Sequence, residues 1–227
     1  MTLRRLYALG LLAALAACGP AEQPSPEADI ETRARAIHDA VLTIDTHDDI
    51  GFDFATPAVD PLNADRQVNL EKMRAGGLDA GFFIVYVGQT QRTPANYRAA
   101  QEGAITKFEA IHRMAQVMYP DQIEIAYTAD DVERINASGK LVAAIGIENG
   151  FVIGKDLSLL TDYYGRGARY MTLAHNGHND IADSAQPRDQ LGDVPEEHGH
   201  KLGLAGNQRR NNQGPRRRAS GYVWIWG

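Results

Sequence analysis

The sequence predicts an α/β fold of the (β/α)8-barrel type. Three observations predict it. Apolar runs of strand length alternate with stretches of helical periodicity, the later runs are continuously apolar, and three runs end in side chains able to bind a metal. Continuous apolar runs fit strands buried on both faces of a parallel sheet. Their alternation with helices fits βα units, whose right-handed crossovers wind into a barrel segment. In such barrels the chemistry sits at the strand C-terminal ends.

The elements follow in order. Residues 28–42 carry Ile30, Ala34, Ile37 and Val41 at helical spacing, with His38 and Asp39 on a solvated face. Residues 43–50 read as a strand ending in His47-Asp48-Asp49. Positions i and i+2 of a strand share a face, so His47 and Asp49 converge there. Asp48 faces the other way and reads as a surface residue or a supporting partner, not a ligand. Residues 51–66, with Pro57 and Pro61, form a long loop over the strand end. A short helix over 69–75 is closed by Gly76-Gly77.

The run 80–87 is a buried strand, and 94–118 a long helix with Pro94 at its start. His112 on that helix reads as solvated or packed. Residues 125–127 form a short strand. Thr128 and Asp131 make a capping box for a helix that stops at Gly139. Residues 141–147 are a buried strand ending in Glu148. A helix over 157–164 and a strand over 169–174 ending in His175 complete the pattern. A His/Asp pair, a carboxylate able to bridge two cations and a further His suit metal-assisted hydrolysis.

The 227 residues are 44% hydrophobic and 23% charged, as in a soluble globular protein. A net charge of −6 argues against nucleic acid as a partner. Residues 1–17 read as a signal peptide, with Arg4 and Arg5 before a short apolar run. Leu15-Ala16-Ala17-Cys18 resembles a bacterial lipoprotein processing box, making Cys18 the lipidated first residue of an exported, membrane-anchored chain. Gly19 after it resembles the outer-membrane class, facing the periplasm. Cys18 is the only cysteine, so no internal disulfide forms. Residues 18–27 then form a tether and 28–200 the barrel part.

Three motifs carry a family resemblance: Ile44-Asp-Thr-His-Asp-Asp49, Gly146-Ile-Glu-Asn-Gly150, and Met171-Thr-Leu-Ala-His-Asn-Gly-His-Asn-Asp-Ile-Ala-Asp-Ser184. In order and spacing they resemble the membrane (renal) dipeptidases, zinc metallopeptidases on a β/α barrel. The resemblance implies His47 and Asp49 as ligands of one zinc and Glu148 as the carboxylate bridging two. It implies His175 as the catalytic residue holding the scissile carbonyl of a dipeptide. His178, Asn179, Asp180 and Asp183 would form a polar loop orienting the site, with Asp183 a candidate partner for a histidine.

The family's second zinc requires two later histidines, its substrate carboxylate a later Arg, and its proton transfer a later Asp. None is placed in this sequence, so at most one zinc site is. Glu196, Glu197, His198 and His200 do not match the family pattern. Residues 201–227 hold six of the chain's 23 Lys and Arg and none of its 29 Asp and Glu. They read as an irregular, disordered basic tail, first of frameshift or premature-stop character, second a true basic tail for anionic lipid or nucleic acid, and last a divergent folded end. The first reading leaves only the first half of the barrel. Such a half exposes strand edges and apolar interior, and pairing in a homodimer would cover them. The expected function is zinc-dependent dipeptide hydrolysis, with doubtful activity in a shortened chain. The alternatives are a non-catalytic lipoprotein and another metal-dependent amide or lactone hydrolase.

Overall fold

The structure, a computed structural model, describes residues 26–184 and 222–224. The expected signal segment, Cys18, most of the tether, the Glu196–His200 group and most of the basic tail lie outside the described residues. By contact the chain divides into Met1–Val41 and Leu42–Gly227. The first unit contains helix α1 (Pro26–Ala40), close to the stretch expected from Ile30, Ala34 and Ile37. Ile30, Ile37 and Val41 are exposed. Among the described residues no helix is long and apolar enough to cross a membrane.

The second unit begins with strand β1 (Ile44–Asp49), so the His-x-Asp pair lies on the strand itself. Helix α2 (Leu70–Gly76) starts where Asn69 accepts the Lys72 N–H at 2.7 Å. It stops where Gly77 turns left-handed at φ 66, a conformation that favours glycine. Strand β2 (Ala80–Tyr86) leads to α3 (Pro94–Arg113), capped by Thr93 with Pro94 in its first turn. The long helix expected to Met118 changes to a π turn over Met114–Met118. Strand β3 (Ile123–Ile125) lies two residues earlier than expected. Helix α4 (Ala129–Ala137) opens with the full Thr128/Asp131 capping box. Strand β4 (Leu141–Glu148), helix α5 (Ser158–Gly165) and strand β5 (Ala168–Thr172) follow.

Strands β1, β2, β4 and β5 form a parallel sheet in that order. β2 pairs with β4 from Val142 to Glu148, while β3 pairs only with Leu141–Ala143. Within the tail expected to be irregular, Tyr222–Trp224 forms a strand, β6, antiparallel to β5. The physical reason is local: Tyr-Val-Trp has high β propensity, and β5 offers an open edge.

Side chains alternate across the sheet. Phe83 and Val85 of β2 and Ala143, Ile145 and Ile147 of β4 enter the main core. Leu70 and Met73 of α2, Ala104, Phe108 and Ile111 of α3, and Tyr163 of α5 also belong to it. The opposite face carries Phe82, Gly146 and Glu148. There Tyr170 lies across Gly146, where a Cβ would meet the ring at 2.3 Å. Its ring packs on Phe82 at 5.1 Å, and its hydroxyl donates to the Thr46 carbonyl at 2.8 Å. One aromatic residue of β5 thus holds β1 beside His47.

Replacing Gly146 with Ala forces the Tyr170 ring away and breaks that tie. The expected cost is about 1–3 kcal/mol of stability, as for other overpacked cores. Gly76→Ala is the control, because nothing lies within 4 Å of its Cβ position. Denaturant unfolding of both variants checks this; equal midpoints would contradict the packing argument.

Candidate metal centre

β1 is irregular where it matters. Its register with β2 runs Asp45↔Gly81 and then Asp48↔Phe83, so one extra residue bulges between them. Asp45 and Asp48, three apart, therefore face the same side, with the helix-facing residues of β2. Asp49 pairs with Ile84 on the opposite face. His47 shares that face, and its Nε2 lies 3.6 Å from Asp49 Oδ1.

Glu148 ends β4 on the same side. His47 Nε2 lies 3.5 Å from Glu148 Oε2, and His175 Nδ1 lies 3.0 Å from Glu148 Oε1. His47, Asp49 and Glu148 each offer a ligand atom, and the three atoms lie within 4.8 Å of one another. The Asp49 side chain is exposed and that of Glu148 largely buried. One imidazole nitrogen with two carboxylate oxygens suits zinc and neighbouring first-row dications. These residues fit the metal that the resemblance implies.

His175 was expected at a strand end, but β5 stops at Thr172 and His175 stands in the following loop. The loop is fastened to the end of β4. Asn149 has φ 76, the left-handed region that non-glycine residues seldom occupy. Its N–H donates to Thr172 Oγ1 at 2.8 Å, and its Oδ1 accepts from Asn179 Nδ2 at 3.1 Å. Asn179 also donates to the Leu173 carbonyl at 2.7 Å and accepts from the Ile181 and Ala182 N–H groups at 2.9 Å each. Gly150 is needed there, since a Cβ would meet Ile181 Cδ1 at 2.4 Å. This clasp delivers His175 to Glu148, and Tyr86 backs the imidazole edge-on at 5.2 Å.

The rest of the expected polar loop ties the loop together and to its neighbours. His178 Nδ1 lies 3.2 Å from Asp183 Oδ1 and accepts the Ser184 N–H at 3.1 Å. Asp180 accepts from the Tyr97 hydroxyl and lies 3.6 Å from Lys155 Nζ. His112 is packed away from the site, with Nε2 2.8 Å from the Arg166 carbonyl oxygen. The sequence reading missed Tyr86, Asn149 and Lys107. For Lys107 a signal existed, a charge on the apolar face of α3 beside Ala104, Phe108 and Ile111.

Asp48 faces away from the ligands, as read, and of its two expected places the structure removes the surface, since it is only 4% exposed. Gly81 leaves room for it, since a Cβ there would meet Asp48 Oδ2 at 2.4 Å. Oδ2 has no hydrogen-bond partner among the described residues. Burial first, then Asp45 by charge and hydrogen bond, then Asp49 by charge, push its pKa up to about 7. The bulge is the cause, because a regular strand would place Asp45 and Asp48 on opposite faces.

Residues 31–208 match the family described as membrane dipeptidase (peptidase family M19). The chain is 34% identical over 122 residues to dipeptidase tcpJ of Claviceps purpurea, covering 52% of this chain and 28% of that one. It is 33% identical over 120 residues to mouse dipeptidase 3, covering 52% and 22%. In fold it is similar to the probable dipeptidase PvdM of Pseudomonas aeruginosa, with TM-score 0.69 and 25% identity. That match covers 76% of this chain and 44% of that one, so the chain spans less than half the length of these relatives.

Asp48 makes stability depend on pH. The folded carboxyl keeps its proton up to about pH 7, while the free group loses it near 3.8. Between these values unfolding releases a proton. The stability Asp48 contributes is thus greatest at low pH, falls as pH rises towards 7, and is flat above. Asp48→Asn removes this slope and adds on the order of 1–3 kcal/mol at pH 8. Denaturant unfolding of metal-free protein at pH 5 and 8 checks it; an unchanged slope in the variant would assign the effect elsewhere.

Proposed function

The chain belongs to the membrane dipeptidase family, and we propose that it takes part in metal-dependent hydrolysis of dipeptides at the His47–Asp49–Glu148–His175 site. The observation that carries this reading is the convergence of three ligand atoms within 4.8 Å, with His175 on the free oxygen of Glu148. We propose zinc as the metal, with His47 Nε2, Asp49 Oδ1 and Glu148 Oε2 as the groups that hold it. A bound dication supplies Lewis-acid polarisation and a nucleophile from water at neutral pH.

The chain's own residues do the rest. Glu148 turns one oxygen to the ligand set and the other to His175, so a single carboxylate fixes both. With its Nδ1–H donating to Glu148 Oε1, His175 presents Nε2 as an acceptor, 2.8 Å from Asn176 Nδ2. Exchange of Asn176 for a substrate lets a protonated His175 hold the scissile carbonyl oxygen. Tyr86 keeps the imidazole from swinging aside.

Release of free amino acids from a panel of dipeptides, abolished by a chelator and restored by zinc, is the expected result. His47→Ala removes metal and activity together. His175→Ala keeps the metal and lowers kcat on the order of 100- to 1000-fold, as loss of one carbonyl-oxygen donor does. Hydrolysis of lactones or other amides without dipeptides would favour a different hydrolase on this scaffold. Folded protein with no metal and no hydrolysis would favour the non-catalytic reading.

We also propose export and lipid attachment at Cys18, on the strength of Arg4, Arg5 and Leu15-Ala16-Ala17-Cys18. Cys18→Ala should move the protein from the membrane to the soluble fraction of a Gram-negative host. A membrane-bound variant would contradict it.

A further inference from the structure

Lys107 is a buried cation for which hydrolysis at the site has no use. It projects from α3 and is only 4% exposed. Its Nζ donates to the Ile50 carbonyl at 2.5 Å, one residue beyond Asp49. The Phe52 and Tyr86 rings lie 5.0 and 5.9 Å from the ammonium, within cation–π range. Among the described residues no carboxylate lies within ion-pairing distance of it.

A buried, unpaired ammonium is costly, and one hydrogen bond with two ring faces offsets only part of that cost. Burial accordingly lowers the proton affinity of Lys107, and the charges that oppose this are Asp49 and Glu148. Those are two of the three residues placed to hold the metal. The same negative field therefore serves both a cation built into the fold and a dication from solution.

We propose that Lys107 is a resident counter-cation that sets the metal affinity of the His47–Asp49–Glu148 site. Its charge offsets the repulsion between Asp49 and Glu148 and opposes a dication that approaches them. The inference rests on the metal-site reading above. It also gives a sign opposite to a purely supporting role: loss of a support would loosen the site, whereas loss of a competing charge tightens metal binding.

The test is zinc affinity of the full chain, read by competition with a chromophoric chelator, for wild type, K107M, K107Q, K107R and H47A. K107Q keeps an N–H donor for the Ile50 carbonyl without the charge, which separates charge from hydrogen bond. Both neutral variants are expected to bind zinc about tenfold tighter, since they remove a buried like charge from the field of Asp49 and Glu148, where charge interactions are stronger than in bulk water. K107R keeps the charge and stays near wild type. Neutral variants that bind equally or more weakly overturn the inference alone, provided H47A abolishes binding. If wild type binds no better than H47A, the metal site and the inference fall together. Should the neutral variants not fold, the lysine ε-carbon NMR signal of wild type, assigned by its loss in K107R, decides. Zinc is expected to lower the pH at which that signal titrates, and an unmoved titration overturns the inference.

Discussion

Glu148 stands between two imidazoles, with His47 on one carboxylate oxygen and His175 on the other. The rest of the site depends on that placement. The carboxylate is largely buried, so it needs partners on both oxygens. It gets them from opposite sides: β1 brings His47, and the loop after β5 brings His175. Neither side could be set without β4 between them, and β4 is held by parallel pairing to β2 from Val142 to Glu148.

Two devices aim the flanking segments. On the β1 side, the bulge between Asp45 and Asp48 lets the strand turn His47 and Asp49 towards Glu148, and Tyr170 pins the bulge through the Thr46 carbonyl. Gly146 is the space that makes this possible. Asp48 favours its proton because it is buried and, secondarily, because the same bulge brings Asp45 to its side of the sheet. On the β5 side, the Asn149–Asn179 clasp converts a loop into a fixed support, and the left-handed backbone at Asn149 is held by its hydrogen bonds.

The charge pattern follows the same logic. Carboxylates gathered for a dication repel one another, and the charges of Asp49 and Glu148 favour the ammonium of Lys107, which donates to the Ile50 carbonyl and lies over two rings. Support, charge and ligand geometry are thus supplied by different elements: β1 and β4 for ligands, β5 and its loop for orientation, α3 for the field.

By itself the sequence determined the local elements and the donor types. Continuous apolar runs are legible as buried parallel strands because burial on both faces removes polar alternation. The Thr128/Asp131 cap and Gly77 are legible because they act within a few residues. His47, Asp49 and Glu148 were legible as donor groups at strand ends, whereas His175 stands in the loop beyond β5 and was legible only through its motif. Tertiary structure alone decided the rest. The bulge in β1 depends on register with β2, so the burial of Asp48 and its pairing with Asp45 could not be read from spacing. The burial of Lys107, the reach of Tyr170 to Thr46 and the clasp of Asn179 on Asn149 join residues 30 to 124 positions apart. Such contacts form only when the strands are side by side, which no local pattern encodes.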